Sequence, residues 1–441
     1  MMRLTRFDTG PCELYLKLES SNPGNSIKDR IARAMVEAAE ASGALRRGGR
    51  IIEATAGNTG ISLALVAAIK GYRLTVVMPD KMSDEKISHL RAMGAEVLLT
   101  RSDVAKGHAD YYQDMAERIA AEDRTAFYVN QFANPENPKA HFETTGPEIW
   151  DQMEGRVDAV VAGVGSGGTL SGVGGFLRTK NPKVDVVLAD PAGSILAPLV
   201  NEGRHDAAGS WLVEGIGEDF VPVILDLKLV THAYSVTDAD SFAAARELLR
   251  LEGVLAGSST GTLLSAALRY CRAQKSPRRV VTFACDSGAK YLSKMFNDYW
   301  MVDQGFIERE RSGDLRDLIA RRHDRGEDFT LAPELPVAQA IKRMRMFDVS
   351  QMVVLDAHEQ VAGIIDESDI LMALTRDRAA PSHPVKDFMT SRVETISASA
   401  SVNDLLPVFR ADRVAVVVSD GKYHGLITKI DLINFLRRKL P

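Results

Sequence analysis

Cysteine is scarce in this chain: Cys12, Cys271 and Cys285 are the three it has. An odd number in a large chain gives no disulfide framework, and such thiols by default are inert, buried and kept in a reducing compartment. Long apolar runs are missing too. No stretch approaches the roughly 18 apolar residues a membrane helix needs, and the first residues lack the apolar core of a signal peptide. Positive charge is not in surplus either: the formal net charge is −5, which argues against a nucleic-acid footprint and a polybasic membrane patch. The expectation is a cytoplasmic protein with neither nucleic acid nor membrane as partner. What remains is an ordinary globular balance, 45% hydrophobic and 26% charged over 441 residues, long enough for several domains.

Strand and helix patterns alternate from the start to about Asp298, as a doubly wound parallel sheet requires. Leu74–Met78 reads as a strand ending at Pro79, Asp84–Met93 as a helix, and Val97–Leu99 as the start of the next strand. Three segments carry the polar residues that a ligand would need. Lys28 follows the turn Ser21-Asn22-Pro23-Gly24-Asn25-Ser26 and opens a helical pattern of Ile27, Ile31 and Met35 that stops at Ser42-Gly43. Asn25 or Ser26 can cap it. Taken alone, a lysine there reads as a solvated surface charge.

The second segment, Thr55-Ala56-Gly57-Asn58-Thr59-Gly60, lies between the strand Arg50–Ile52 and the apolar helix Ile61–Ile69. Capping needs one such polar residue, whereas this turn crowds several around exposed helix N–H groups, which suits a carboxylate or another anion. The third, Gly163-Val164-Gly165-Ser166-Gly167-Gly168-Thr169, lies between the strand Val157–Ala162 and the helical stretch Leu170–Arg178. It is a phosphate cradle by position and composition. Gly163, Gly165 and Gly168 also satisfy G-x-G-x-x-G, with Asp190 ending the next strand, which is the outline of a dinucleotide fingerprint. On this segment alone, a nicotinamide dinucleotide and another phosphate ligand fit equally well.

The stretch Gln304 to Asp328 is highly charged and poor in large apolar residues, and is expected to be a partly helical linker after a core of residues 1–303. Beyond it is an internal repeat. Gln360 to Leu371 parallels Lys422 to Ile433, with Gly363 and Gly425 62 residues apart, a period suited to a pair of small β-α modules. Upstream strands, Met352–Leu355 and Val414–Val418, complete two copies, residues 329–380 and 381–441.

As a set, Lys28, the Thr55–Gly60 turn, the glycine loop and the later turn Ala256-Gly257-Ser258-Ser259-Thr260-Gly261 resemble, in order, the four contact segments of fold-type II pyridoxal-phosphate enzymes. A Rossmann dehydrogenase would leave Lys28 and the Thr-Ala-Gly-Asn-Thr-Gly turn unexplained. The repeat resembles a tandem pair of CBS domains, the Bateman module that binds adenosine-bearing ligands between its copies. Together they resemble the cystathionine β-synthase family. The sister O-acetylserine sulfhydrylases share Asn58, the glycine loop, Gln131-Phe132 and His141 to Pro147. The run Val213 to Phe220 and the CBS pair favour the synthase.

The resemblance implies an α/β fold-type II core of two doubly wound parallel-sheet lobes plus a C-terminal tandem CBS module. It implies pyridoxal 5′-phosphate as cofactor, no haem, no metal, and at least a homodimer. The implied reaction joins L-serine or L-cysteine to L-homocysteine through a Schiff base and an aminoacrylate, giving cystathionine and water or hydrogen sulfide. The alternative is O-acetylserine sulfhydrylase, that is, cysteine synthase. Lys28 would bind the cofactor and shuttle the α-proton, and Asn58 would bond its ring oxygen. Gly165, Ser166, Gly167, Gly168 and Thr169 would hold the phosphate, and Ser259, with Ser258 as the neighbouring choice, would face the pyridine nitrogen. Thr55, Ala56, Thr59 and Gln131 would grip the substrate carboxylate, with Gly215 in the homocysteine-side loop. In the CBS pair, Asp431 with Thr428 would take the ribose of adenosylmethionine or an adenine nucleotide. Asp369 is the equivalent in the first copy, where Asp366 replaces the usual hydroxyl residue. Three departures accompany the resemblance: Ala56 stands for a serine, Glu218 for a tyrosine of some synthases, and Met1-Met2-Arg3-Leu4 opens the chain where relatives carry a preceding segment.

Overall fold

The computed structural model describes residues 1–55, 57–80, 82, 84–104 and 107–437. Ala56 therefore lies outside the described residues. The chain forms two compact units, Met1–Asn297 and Asp298–Pro441.

The strands of the first unit are β1 (Met2–Arg3), β2 (Glu13–Leu18), β3 (Arg50–Ala54), β4 (Arg73–Pro79), β5 (Glu96–Thr100), β6 (Ala126–Tyr128), β7 (Ala159–Gly163), β8 (Asp185–Pro191), β9 (His232–Val236) and β10 (Arg279–Ala284). They build two sheets, one ordered β5-β4-β3-β6 and the other β1-β2-β10-β7-β8-β9. Every pairing is parallel except that of the edge strand β1 with β2. Central strands such as β4, β7 and β8 read as near-continuous Val, Leu and Ala because helices cover both faces, and their side chains are almost wholly buried.

The helices that carry residues of functional interest are α1 (Lys28–Ser42), α2 (Asn58–Lys70), α3 (Asp84–Ala92), α4 (Gly168–Lys180) and α5 (Ser258–Arg272). In α1, Ile31, Met35, Val36 and Ala39 are buried at helical spacing, and Gly43 ends it in the left-handed conformation at φ 76, which a glycine adopts without strain. Helices α2 and α4 leave the C-terminal ends of β3 and β7. Ligands collect at such strand ends in sheets of this kind.

The second unit confirms the repeat. Its strands are β11 (Thr330–Leu331), β12 (Gln351–Leu355), β13 (Val361–Asp366), β14 (Thr395–Ile396), β15 (Ala415–Ser419) and β16 (Lys422–Ile427). They form two three-stranded sheets, β11-β12-β13 and β14-β15-β16, each a parallel pair followed by an antiparallel hairpin. Even the irregularity repeats: the hairpin register shifts just after Val354 opposite Gly363 and just after Val417 opposite Gly425. Helices α6 (Glu367–Arg376) and α7 (Lys429–Arg437) come after the two hairpins.

The expected partly helical linker has short helical turns at Leu315–Leu318 and His323–Arg325 and packs into the second unit. Leu315, Leu318 and Ile319 are buried in the core of the second copy with Leu405, Val417 and Ile427, and the division between units falls at Asn297 rather than at residue 303. A Cβ on Gly425 would lie 2.5 Å from Ile319 Cγ2, so the repeat's second glycine makes room for this segment. Three apolar residues at one-turn spacing suffice to bury it, and average composition over a highly charged stretch conceals them.

Candidate active site

In the first unit, a cavity of about 600 Å³ is bordered by Lys28, Thr55, Asn58, Thr59, Gln131, Gly165, Ser166, Gly167, Gly168, Thr169, Gly215 and Ser259. Segments from both ends of the unit's sequence thus meet in one space. Four helix N-termini supply its border: Lys28 and Asn58 are the first residues of α1 and α2, Gly168 is the first of α4, and Ser259 the second of α5. Each brings the partial positive charge of a helix start.

The glycine loop leaves its donors open. Ser171 N–H is the first of α4 to bond back, to Gly167 O at 3.0 Å. Among the described residues, the N–H groups of Ser166, Gly167, Gly168 and Thr169 donate to no protein group. Such a set of unpartnered donors at a helix start fits a phosphate. The glycines are also sterically required. A Cβ on Gly165 would lie 2.6 Å from Gly215 O, and one on Gly168 1.8 Å from Asn137 Oδ1. Asn137 in turn donates to Ser166 Oγ at 2.9 Å and to Gln131 O at 2.8 Å, tying the loop to the segment that carries Gln131. Gln131 Oε1 accepts from Thr59 Oγ1 at 2.7 Å.

Among the described residues, three lysines border the cavity: Lys28, Lys86 and Lys294. Lys86, on α3 and 2% exposed, bonds Glu214 Oε2 at 2.5 Å, and Lys294 bonds Glu214 Oε1 at 2.7 Å. Lys28 alone of the three has no side-chain hydrogen bond or ion pair among the described residues. Burial pushes its amine below the ordinary lysine range, with Cys285, Asp286 and Glu218 pulling the other way. A free amine with a depressed pKa is the form that attacks a carbonyl or removes a proton.

Asn58 is held by two groups that no local sequence pattern joins to it: its Nδ2 donates to Asp286 Oδ2 at 2.8 Å, and its Oδ1 accepts from Lys290 Nζ at 2.8 Å. One amide N–H is left over for a ligand. Tyr291 also donates to Asp286 Oδ2, at 2.7 Å. The two serines that open α5 separate clearly. Ser259 borders the cavity, whereas Ser258 accepts from Glu214 N–H at 3.0 Å. Thr169 Oγ1 lies 3.2 Å from His141 Nε2, and His141 Nδ1 2.9 Å from Thr145 Oγ1. Burial, then Lys28 and Arg30, hold His141 down to about 3, so the ring is neutral. The capping expected of Asn25 or Ser26 is only partial: Ser26 Oγ accepts from Lys28 N–H at 3.3 Å, and Ile27 is the cap residue.

Lys86, Lys290, Lys294, Asp286 and Tyr291 went unnoticed in the sequence. Their partners lie far along the chain, and nothing local distinguishes Asp84-Glu85-Lys86 from a solvated helix start. In the second unit, Asp369 and Asp366 cap α6 reciprocally: Asp366 N–H donates to Asp369 Oδ2 at 3.2 Å, and Asp369 N–H to Asp366 Oδ1 at 2.8 Å. Thr428 and Asp431 repeat the device at α7, with Thr428 N–H donating to Asp431 Oδ2 at 2.7 Å and its hydroxyl at 2.5 Å.

A parallel-sheet core with a free lysine amine beside a glycine-lined anion cradle defines a pyridoxal-phosphate enzyme. Residues 1–286 match the family described as pyridoxal-phosphate dependent enzyme, and residues 317–376 and 385–438 match the CBS domain. A cystathionine beta-synthase of Dictyostelium discoideum is 34% identical over 97% of this chain and 88% of its own length. Cysteine synthase A of Escherichia coli is 40% identical over 66% of this chain and 90% of its own. The crystal structure of a hydrogen sulfide-producing enzyme from Fusobacterium nucleatum superposes with a TM-score of 0.62 at 40% identity, covering 66% of this chain and 95% of that one. The chain belongs to the cystathionine β-synthase family of pyridoxal-phosphate dependent enzymes, and its cofactor is pyridoxal phosphate. Among the described residues, no helix is long and apolar enough to cross a membrane.

Proposed function

We propose that the protein condenses L-serine or L-cysteine with L-homocysteine, forming cystathionine and releasing water or hydrogen sulfide. The observation that carries this reading is the meeting of the free Lys28 amine, the open donors of the glycine loop and Thr55, Gly57, Asn58 and Thr59 around one cavity. When bound, pyridoxal phosphate supplies a covalent carrier and an electron sink for bonds at the substrate's α- and β-carbons. Gly165 to Thr169 would hold its phosphate, Asn58 would donate to its ring oxygen, and Ser259 would face its pyridine nitrogen. A hydroxyl there, rather than a carboxylate, would leave that nitrogen largely unprotonated.

Thr55, Thr59 and Gln131, with Ala56, hold the substrate carboxylate at the start of α2, where the helix dipole favours an anion. Lys28 takes the proton from the substrate's α-carbon, a task its depressed pKa suits. The hydroxyl or thiol leaves the β-carbon, and the homocysteine sulfur forms the new bond there. Glu214, fixed between Lys86 and Lys294, anchors the loop through Gly215 that borders the acceptor's side of the cavity.

Homocysteine as acceptor is supported by relatives that span the whole chain, including its CBS pair, under the name cystathionine beta-synthase. The second reading, a cysteine synthase using O-acetylserine and sulfide, draws on the higher identity of the core to cysteine synthase A. We infer also that the CBS pair is regulatory, taking adenosylmethionine or an adenine nucleotide at Thr428 and Asp431, and that the protein works as a homodimer or larger homo-oligomer. Mass spectrometry of products from the holoenzyme with homocysteine and either serine, cysteine or O-acetylserine tests the reaction. Cystathionine from serine or cysteine is expected. Turnover of O-acetylserine with sulfide alone would move the protein to the second reading.

A further inference from the structure

Glu218 is a carboxyl with no ion pair among the described residues, in a cavity otherwise lined with donors for anions. Its neighbour on the same loop, Glu214, is neutralised by Lys86 and Lys294. Glu218 is fixed through its backbone: its N–H donates to Ser194 Oγ at 3.1 Å, and its C=O accepts from Ile195 N–H at 3.1 Å and Ser194 Oγ at 3.2 Å. The preceding Gly217, at φ +90, donates its N–H to Val164 O at 2.8 Å, which fastens the loop beside the glycine cradle. The side chain of Glu218 has no hydrogen bond or ion pair among the described residues, yet it borders the cavity. A Cβ on Gly165 would lie 3.9 Å from its Oε1, so the carboxyl stands over the start of the cradle. Asp219, exposed, borders the cavity beside it. Arg101 lies on the same border but is paired with Asp103.

A half-buried carboxyl facing the cavity without a protein partner among the described residues can receive a cation that enters there. Phosphate, substrate carboxylate and hydrosulfide offer none, and the donor's own ammonium group is consumed in joining the cofactor. Besides Lys28, which is occupied with the donor's α-proton, the cation that enters the cavity is one brought by the second substrate. We propose that Glu218 receives the ammonium group of the incoming thiol, so that the acceptor is an amino-acid thiol and not inorganic sulfide. This rests on the β-replacement reading above. Burial, Asp219 and Asp190 push the Glu218 carboxyl well above the ordinary range, with Lys28 pulling the other way. An ammonium group gains from such a carboxyl, whereas hydrosulfide does not.

The test uses the holoenzyme with serine as donor and three acceptors: homocysteine, its deamino analogue 4-mercaptobutyrate, and sulfide. Glu218→Gln is expected to raise the KM for homocysteine about 10- to 100-fold, the range of a lost charge-assisted hydrogen bond. The KM values for 4-mercaptobutyrate and sulfide are expected to change less than about threefold, and Glu218→Asp to fall between wild type and Gln for homocysteine. Equal changes for homocysteine and 4-mercaptobutyrate, or none for either, would overturn the assignment. Should Glu218→Gln lose its cofactor absorbance, Glu218→Asp decides by the same ratio of homocysteine to 4-mercaptobutyrate. A wild-type protein that uses sulfide but not homocysteine would instead defeat the β-synthase reading, a result visible before any variant is made.

Discussion

At the helix starts of the first unit and on the loop beside them, polar groups face open space: the N–H donors of Ser166 to Thr169, the Lys28 amine and, on the loop, the Glu218 carboxyl have no protein partner among the described residues. At the helix starts of the second unit, comparable groups face each other, Asp366 with Asp369 and Thr428 with Asp431. Both arrangements begin from the same sequence pattern, a strand that runs through a polar turn into a helix. A capping box is complete without a ligand. Open donors and a desolvated amine are incomplete without one, because buried polar groups are ordinarily satisfied. The difference separates a site built for chemistry from a turn that already satisfies its own polar groups and must release some of them to bind.

Five substitutions sharpen that contrast, from the largest effect to the smallest. Lys28→Ala removes the one unpaired cavity lysine among the described residues and is expected to lower turnover by about a thousandfold or more. The check is steady-state cystathionine formation, alongside circular dichroism to show the fold intact. Turnover within about tenfold of wild type would contradict it.

Glu214→Gln leaves Lys86 buried without its counter-charge and is expected to destabilise the protein by about 3–5 kcal/mol at pH 7. Burial pushes the Glu214 carboxyl up, but Lys86 and Lys294 outweigh it and hold the group below the ordinary range. Its stabilisation is therefore present above the ordinary glutamate pKa and is lost as pH falls through the folded value, so the difference between variant and wild type in urea unfolding should shrink in acid.

Glu53→Gln acts with the opposite sign. Burial pushes Glu53, wholly inside β3, up to about 8 from 4.5, with N–H groups of Gln131, Ala54 and Asn130 opposing. A carboxyl neutral when folded but ionised when unfolded loses stability for the protein as pH rises from 4.5 to about 8. The variant lacks that slope, and thermal unfolding should show it gaining about 2–3 kcal/mol on wild type between about pH 5 and 8. Parallel pH profiles would contradict it.

The smallest pair compares the CBS copies. Asp366→Ala removes a helix cap and should cost about 1 kcal/mol of stability while leaving binding of adenosylmethionine or ATP unchanged. Asp431→Ala should cost a similar amount and abolish that binding, as read by calorimetry. Equal effects on binding would make the two copies equivalent.

Much of this was legible in the sequence where the signal is local. The Thr55–Gly60 turn, the glycine loop and the 62-residue repeat carry their meaning within short stretches, and the structure places them at strand ends and helix starts. Lys28 became meaningful only with the other turns beside it. The Lys86–Glu214–Lys294 cluster was not legible, because its partners lie 128 and 80 residues apart and each looks like a surface charge on its own. Glu218 could be noticed as a departure, but its side chain's lack of a partner depends on the course of a loop. The segment through Leu315 and Ile319 was misjudged because burial follows spacing on one face rather than average composition.

Reduction of the holoenzyme with borohydride followed by peptide mass mapping tests the central claim most directly. Lys28, Lys86 and Lys294 all border the cavity, and only the first has an amine free of partners. A pyridoxyl group on the peptide containing Lys28, and on neither of the others, is the predicted result. A label on Lys86 or Lys294 would contradict the account.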